Sequence, residues 1–132
     1  MEAPHQLKIL IVDDENIVHE TLSGFIRDFG HRSESVHNGA DAAKLIDDHD
    51  YDLALIDVRM PGIDGLELLE QIRRKIPPLK VIIMTGHGDP IMSEKAKLLG
   101  AYGFLSKPFN LTDFMALIDK IVKKNESFGD EP

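Results

Sequence analysis

Short strand-like segments alternate five times along the chain with stretches of helical spacing. Most of the short segments are apolar, are rich in β-branched residues and stop abruptly at a polar residue, which is typical of buried strands. The segment that follows Arg32 is polar and therefore predicts a strand at the edge of a sheet. The predicted strands are Lys8–Val12, Arg32–Val36, Leu53–Ile56, Val81–Met84 and Tyr102–Leu105.

The stretches between these strands have the end signals of helices. Gly30 and Gly100 stand where glycines commonly end a helix, and Asn38, Asp64 and Asn110 stand where N-caps are expected. The predicted helices are one with Val18, Leu22, Phe25 and Phe29 on one face, Gly39–Asp48, one from Asp64 to Pro77, Pro90–Leu99, and one with the stripe Leu111, Phe114, Met115, Ile118, Ile121 and Val122.

This alternation predicts an α/β fold in which a parallel sheet has helices on both faces. The three most apolar strands, around Leu10, Leu55 and Ile83, should be central, and those around Glu34 and Phe104 should be edges. The pattern fits a flavodoxin-like (βα)5 three-layer sandwich with a five-stranded sheet of order 2-1-3-4-5. The first strand–helix turn has no glycine fingerprint, which argues against a dinucleotide site.

Length and composition narrow the function classes. The 132 residues suffice for one domain, which we expect over residues 7–125, after a disordered leader (1–6) and before a polar tail (126–132). Cysteine is absent, so disulfides and thiolate sites are excluded. Neither a signal peptide nor a membrane span is visible, so a cytoplasmic protein is expected. The formal charge of −8 argues against direct nucleic-acid binding by this domain.

Chemically active side chains follow four of the predicted strands. Asp13 and Asp14 follow the first, Asp57 the third, Thr85 the fourth and Lys107 the fifth. The carboxyl ends of parallel strands lie at one side of the sheet, so these groups should converge. Clustered carboxylates repel by about 4 kcal/mol at 4 Å when the effective dielectric is near 20. Oxygen-only ligands favour a hard ion such as Mg²⁺ (or Mn²⁺), and a carboxylate nucleophile at position 57 would form an aspartyl phosphate.

The same residues carry a family resemblance over about Lys8 to Asn125. The chain resembles the receiver domain of bacterial two-component response regulators in the Asp13-Asp14 pair, in Asp57 before the MPGIDG turn, in Thr85 and in the Lys107-Pro108-Phe109 segment. The resemblance implies a phospho-accepting switch without turnover of a separate substrate. A sensor histidine kinase or phosphotransfer protein would donate the phosphoryl group to Asp57.

Roles for individual residues follow from the resemblance. Asp14, Asp57 and the backbone carbonyl of Arg59 would ligate the ion, with Asp13 acting through water. Thr85 and Phe104 would be the switch pair, Lys107 would supply charge, and the Lys107–Pro108 peptide bond is a candidate for the cis form. The alternative for Phe104 is an ordinary core residue of the edge strand. Homodimerisation on phosphorylation is possible, and nothing in the sequence identifies the output partner.

Two further positions and two alternative functions remain open. Arg59 and His87 flank the site by family analogy, and we hypothesise that they set the lifetime of the aspartyl phosphate; otherwise they are solvated loop residues. A hydrolase of the haloacid-dehalogenase type also uses an Asp nucleophile, but Arg59 stands where its second acid would be. A pseudo-receiver would be expected to lose at least one acid of the set. The remaining histidines are interpreted as surface or incidental: His5, His19, His31, His37 and His49.

Overall fold

The computed structural model describes residues 6–60, 62, 64–86 and 90–130, with the backbone alone over 124–130. Strands and helices alternate throughout, as the sequence predicts. The elements are β1 (Lys8–Val12), α1 (Asn16–Asp28), β2 (Arg32–Val36), α2 (Gly39–Asp48), β3 (Leu53–Asp57), α3 (Gly65–Lys75), β4 (Lys80–Thr85), α4 (Pro90–Leu98), β5 (Gly103–Ser106) and α5 (Leu111–Asp130).

The five strands form one parallel sheet in the order β2-β1-β3-β4-β5, which confirms the predicted fold. The register pairs Val12 with Ile56 and Asp57 with Met84, so the carboxyl ends of β1, β3 and β4 lie side by side. Strand β3 is buried at every position, whereas β2 is exposed or half-buried throughout, in agreement with its place at the edge.

Alternate residues of each central strand face opposite helical layers. On one face, the strand residues pack against buried residues of α2, α3 and α4, which include Ile46, Leu69 and Ala96. On the other face, they pack against α1 and α5, where Leu22 and Phe114 are fully buried. Burial on both faces explains why the central strands are continuously apolar.

Three helix caps confirm the end signals read from the sequence. The side-chain oxygens of Asn38, Asp64 and Asn110 each accept a hydrogen bond from the backbone N–H three residues later, at 2.8, 2.9 and 2.9 Å. Gly30 has a φ of 85°, as expected of a glycine that ends a helix. The predicted cap at Asp89 lies outside the described residues, as does Pro61 of the turn after β3.

Helix α5 differs from its prediction in two respects. Its backbone continues to Asp130, so most of the segment expected to be a polar tail is helical. The predicted apolar stripe is too wide, because Leu111 and Met115 are exposed while Phe114, Ile118 and Ile121 are buried. Within the described part of the chain, no helix is long and apolar enough to cross a membrane.

Candidate functional site

The carboxyl edge of the sheet brings the predicted acids together. Asp13 and Asp14 follow β1, and Asp57 is the last residue of β3. One carboxylate oxygen from each of the three lies within 4.8 Å of the others. Asp13 and Asp57 are buried, whereas Asp14 is exposed at the mouth of the cluster. Residues up to 44 positions apart in sequence thus form one acidic cluster because parallel strands end at the same edge.

Lys107, which follows β5, supplies the cation of this cluster. Its Nζ lies 2.7 Å from Asp13 Oδ2, 3.2 Å from Glu15 Oε1 and 3.4 Å from Asp57 Oδ2. The peptide bond between Lys107 and Pro108 is cis, as predicted. The backbone N–H of Lys107 donates to the carbonyl oxygen of Thr85 at 2.7 Å. The lysine is therefore tied by its backbone to the strand that carries the predicted switch threonine.

Asp13 has partners for both carboxylate oxygens. Its Oδ1 accepts a hydrogen bond from the Glu15 N–H at 2.9 Å, while its Oδ2 is the closest contact of Lys107. Its backbone N–H donates to the Val36 carbonyl at 3.2 Å. The hydrogen bond at Oδ1 and the ion pair at Oδ2 compensate the burial of a carboxylate with no solvent exposure, which would otherwise be costly. Asp13 is thus held firmly at the buried end of the acidic cluster.

The environment of Asp57 opposes its ionisation. Burial raises the pKa of this carboxyl above its ordinary value of 3.8, and the charge of Asp13 raises it further. The Lys107 charge and the hydrogen bond donated by the Arg59 N–H, 3.3 Å from Oδ1, offset the pKa shift in part. A cation placed between the carboxylates would favour the ionised form of Asp57, which is the nucleophilic one.

Lys107 stays protonated in this setting. Burial lowers the pKa of its ammonium, but the hydrogen bond and charge of Asp13, with the charge of Asp57 and the hydrogen bond to Glu15, outweigh burial and raise the pKa. One ammonium contacts the carboxylates of Asp13, Asp57 and Glu15, and Asp14 adds a fourth carboxylate to the cluster, so negative charge remains in excess. That excess, together with a donor set made of oxygen alone, fits a hard divalent cation such as Mg²⁺.

The predicted switch residues lie next to this cluster on the sheet. Thr85 is buried at the end of β4 and pairs with Ser106 of β5. Phe104 precedes Ser106 by two residues on β5. It is half-buried and packs against the core formed with α2, α3 and α4. Thr85 and Phe104 therefore lie on neighbouring strands. The geometry is compatible with the switch and with an ordinary core role for Phe104.

Arg59 and His87 differ in how far the structure describes them. Arg59 is exposed two residues beyond Asp57, and its backbone reaches the Asp57 carboxylate. His87 lies outside the described residues. Their influence on the lifetime of an aspartyl phosphate stays a hypothesis.

Two residues at the site were not identified from the sequence. Glu15, the third acid after β1, contacts Lys107, and its position directly after the Asp13-Asp14 pair was the available signal. The interpretation of His19 as a surface residue is wrong, because it is only 7% exposed. His19 precedes the buried Leu22 and Ile26 by three and seven residues, so helical spacing places it on the core face of α1.

A shallow apolar groove lies beside Lys107. Ile17 and Val18 of α1 form one side, and Pro108 and Phe109 form the other. The Ile17 side chain is 63% exposed although it is large and apolar. The groove therefore offers an apolar surface immediately next to the acidic cluster.

Comparison with known families agrees with this geometry. Residues 9–119 match the model of the response regulator receiver domain. The DNA-binding transcriptional regulator NtrC of Escherichia coli K12 is 35% identical over 114 residues, which cover 86% of this chain and 24% of that protein. The chain thus spans about a quarter of the length of the NtrC regulators it matches.

The fold is also similar to that of solved response regulator structures. The receiver domain of NtrX from Brucella abortus has a TM-score of 0.82 and 31% identity, with 87% of this chain and 98% of that chain covered. A longer structure of NtrX from the same organism has a TM-score of 0.87 and 28% identity, and covers 96% of this chain but 29% of that one.

Proposed function

The chain belongs to the response regulator receiver family, and from this premise we propose that Asp57 is its phosphoacceptor. The convergence of Asp13, Asp14, Asp57 and Lys107 at one edge of the sheet is the observation that carries the proposal. Asp14, Asp57 and the Arg59 carbonyl would hold Mg²⁺ or Mn²⁺, with Asp13 acting through water. When bound, the cation neutralises oxygens of the phosphoryl group. We take residues 7–125 as the extent of this module.

The reaction is a single displacement at phosphorus. A carboxylate oxygen of Asp57 attacks, forming an O–P bond, while the bond between phosphorus and the donor breaks and its electron pair leaves with the donor. With a phosphohistidine donor the leaving group is imidazole, and with acetyl phosphate it is acetate. Lys107 then pairs with a phosphoryl oxygen, exchanging one of its carboxylate contacts for the new charge.

The new charge would be transmitted by the strands next to Asp57. Thr85 would turn its hydroxyl toward the phosphoryl group, and the ring of Phe104 would follow into the space that Thr85 leaves. The hydrogen bond from the Lys107 N–H to the Thr85 carbonyl supports this coupling, since it links the backbones of the two residues. We further propose that the module acts as a switch in the cytoplasm and turns over no separate substrate. Its phosphorylated form would bind an output partner or form a homodimer.

Acetyl phosphate tests the proposal directly. We expect the wild-type protein to gain the mass of one phosphoryl group when Mg²⁺ is present, and none after Mg²⁺ is removed with a chelator. Intact-mass spectrometry over time gives both the extent and the rate. Equal mass gain with and without the metal would contradict the assigned metal site, and no gain under any condition would contradict the phosphoacceptor role.

The groove beside Lys107 supports a protein phosphodonor. A donor that delivers a phosphohistidine to Asp57 has to cover the carboxyl edge of the sheet, and the groove borders that edge. Covering Ile17 removes apolar surface from water, and full burial of such a side chain contributes about 1.5 to 3 kcal/mol. A small molecule such as acetyl phosphate makes no use of this surface. Replacing Ile17 should therefore affect phosphotransfer from a protein donor but not from a small molecule.

Ile17→Ser is expected to slow phosphotransfer from a sensor histidine kinase about tenfold while leaving the acetyl phosphate rate unchanged. Radiolabel transfer from a kinase that phosphorylates the wild type measures the first rate, and intact mass measures the second. Ile91→Ser is the matched control, since Ile91 is 70% exposed on α4, outside the groove. Equal kinase rates for all three proteins would show that the partner docks elsewhere.

A further inference from the structure

His19 lies beneath the loop that joins β1 to α1 and carries Asp13 and Asp14. It belongs to the first turns of α1 and is buried together with Val18 and Leu22. Helix faces that meet a core are normally apolar, so a buried histidine there calls for a specific partner.

That partner is the backbone of Asp13. His19 Nε2 lies 2.7 Å from the carbonyl oxygen of Asp13. Because a carbonyl oxygen can only accept, Nε2 carries the hydrogen and donates it. The other ring nitrogen, Nδ1, is buried and has no hydrogen-bond partner among the described residues. An unpaired buried nitrogen is destabilising, so packing alone would be served better by an apolar side chain. The contribution that distinguishes histidine here is the bond to Asp13.

The accepting carbonyl is well placed to control the metal ligands. It belongs to the planar peptide unit between Asp13 and Asp14, so its direction sets the direction in which the chain enters Asp14. Asp14 is exposed, and packing does little to fix its carboxylate. On the other side of Asp13, the backbone N–H is held by Val36. The His19 bond completes the fixation of the Asp13 backbone.

The His19 ring is itself held in place from a second direction. The ring of His37, which follows β2, lies with its centroid 4.5 Å from that of His19. His37 is fixed in turn by a 2.7 Å hydrogen bond between its Nε2 and Asn16 Oδ1. The donor that His19 presents to Asp13 is therefore oriented by the ring of His37, which Asn16 of α1 holds in turn.

We propose that His19 is a positioning residue for the divalent-cation site: its bond to the Asp13 carbonyl sets the orientation of Asp14 and so strengthens Mg²⁺ binding. The inference rests on the proposed function, since it takes the acidic cluster as the metal site. Residues that orient metal ligands in this way typically change metal affinity by about 10- to 100-fold when they are replaced.

Two substitutions of similar size separate the hydrogen bond from packing. His19→Leu fills the space without a donor, and we expect it to weaken Mg²⁺ binding about 10-fold. His19→Gln places an amide N–H at the same number of bonds from Cα, and we expect binding within about threefold of the wild type. Backbone amide NMR during Mg²⁺ titration of the unphosphorylated protein measures the dissociation constants. It also reports the ¹⁵N shift of Asp14 before metal is added, which should change in His19→Leu alone.

Ile26→Val is the control for general destabilisation, because Ile26 is buried on the same face of α1 away from the loop. It should lower the thermal midpoint slightly without changing Mg²⁺ affinity. Wild-type affinity in His19→Leu, or equal loss in His19→Leu and His19→Gln, would overturn the positioning role while leaving Asp57 as phosphoacceptor. A wild-type protein that binds no Mg²⁺ would overturn both this inference and the metal site of the proposed function.

Discussion

Asp57→Asn is expected to abolish the Mg²⁺-dependent gain of a phosphoryl group from acetyl phosphate. An amide lacks the nucleophilic oxygen and the negative charge of the carboxylate, and neither Asp13 nor Asp14 can take its place without moving. Asp13 is engaged through both oxygens, and Asp14 lies at the exposed mouth of the cluster. Intact-mass spectrometry of the variant beside the wild type checks the prediction.

Asp52→Asn is a matched control for this substitution. Asp52 precedes β3 at the opposite end of the strand, where its Oδ2 accepts a hydrogen bond from the Lys8 N–H at 2.8 Å. An asparagine retains an acceptor at this position, so phosphorylation should proceed at the wild-type rate. Phosphorylation of Asp57→Asn at the wild-type rate would locate the acceptor at another residue.

The same Asp57→Asn variant should be more stable than the wild type at neutral pH in the absence of metal. Because the native pKa of Asp57 is raised above its ordinary value of 3.8, its contribution to stability is fully present below pH 3.8 and is lost as the pH rises through the native pKa. Asparagine resembles the protonated form and avoids this loss. We therefore expect a higher thermal midpoint for the variant than for the wild type at pH 7.

Thermal unfolding at a series of pH values tests the sign of this effect. The advantage of the variant should shrink as the pH falls toward 4, because the wild-type carboxyl then takes up its proton as well. Saturating Mg²⁺ should also narrow the difference at pH 7 by stabilising the wild type alone. If the difference in thermal midpoint between Asp57→Asn and the wild type grew as the pH fell, the surroundings of Asp57 would favour its ionised form and the prediction would be wrong.

The sheet and the acidic cluster were predictable because few physical rules determine them. Strands such as β3 that are buried on both faces are apolar throughout, and helices between them require parallel pairing. Parallel pairing in turn places Asp13, Asp57 and Lys107 at one edge of the sheet. No knowledge of side-chain contacts was needed to reach this conclusion.

Other features depend on contacts that sequence patterns do not encode. The amphipathic stripe of α5 identifies a helix face but not its width, so it wrongly included Leu111 and Met115. The pairing of Lys107 with Asp13 at a shorter distance than with Asp57 is a matter of side-chain reach. The burial of His19 could have been found from spacing, whereas its bond to the Asp13 carbonyl could not.

Gly65→Ala is expected to destabilise the protein by about 2 to 3 kcal/mol and to slow phosphorylation at the same time. Gly65 is the first residue of α3, and a Cβ there would lie 2.4 Å from the Asp57 carbonyl oxygen and 2.7 Å from Val58 Cα. Both are backbone atoms, so either the helix or the end of β3 has to shift. Because that strand end carries the phosphoacceptor, a displacement of about 1 Å could reduce the rate by up to about 100-fold.

Gly24→Ala is the control, because the same chemical change is expected to raise stability there and to leave the reaction rate unchanged. Gly24 lies within α1, where the nearest atom to an added Cβ is Arg27 Nη2, 4.0 Å away at the flexible end of a side chain on the same helix. Alanine is favoured over glycine inside helices by about 0.5 to 1 kcal/mol, so this variant should be more stable and react normally. Chemical denaturation measures the stability of both variants, and the rate of phosphorylation by acetyl phosphate measures their reactivity. If Gly65→Ala matched Gly24→Ala in both, the packing of α3 against β3 would not be what holds Asp57 in place.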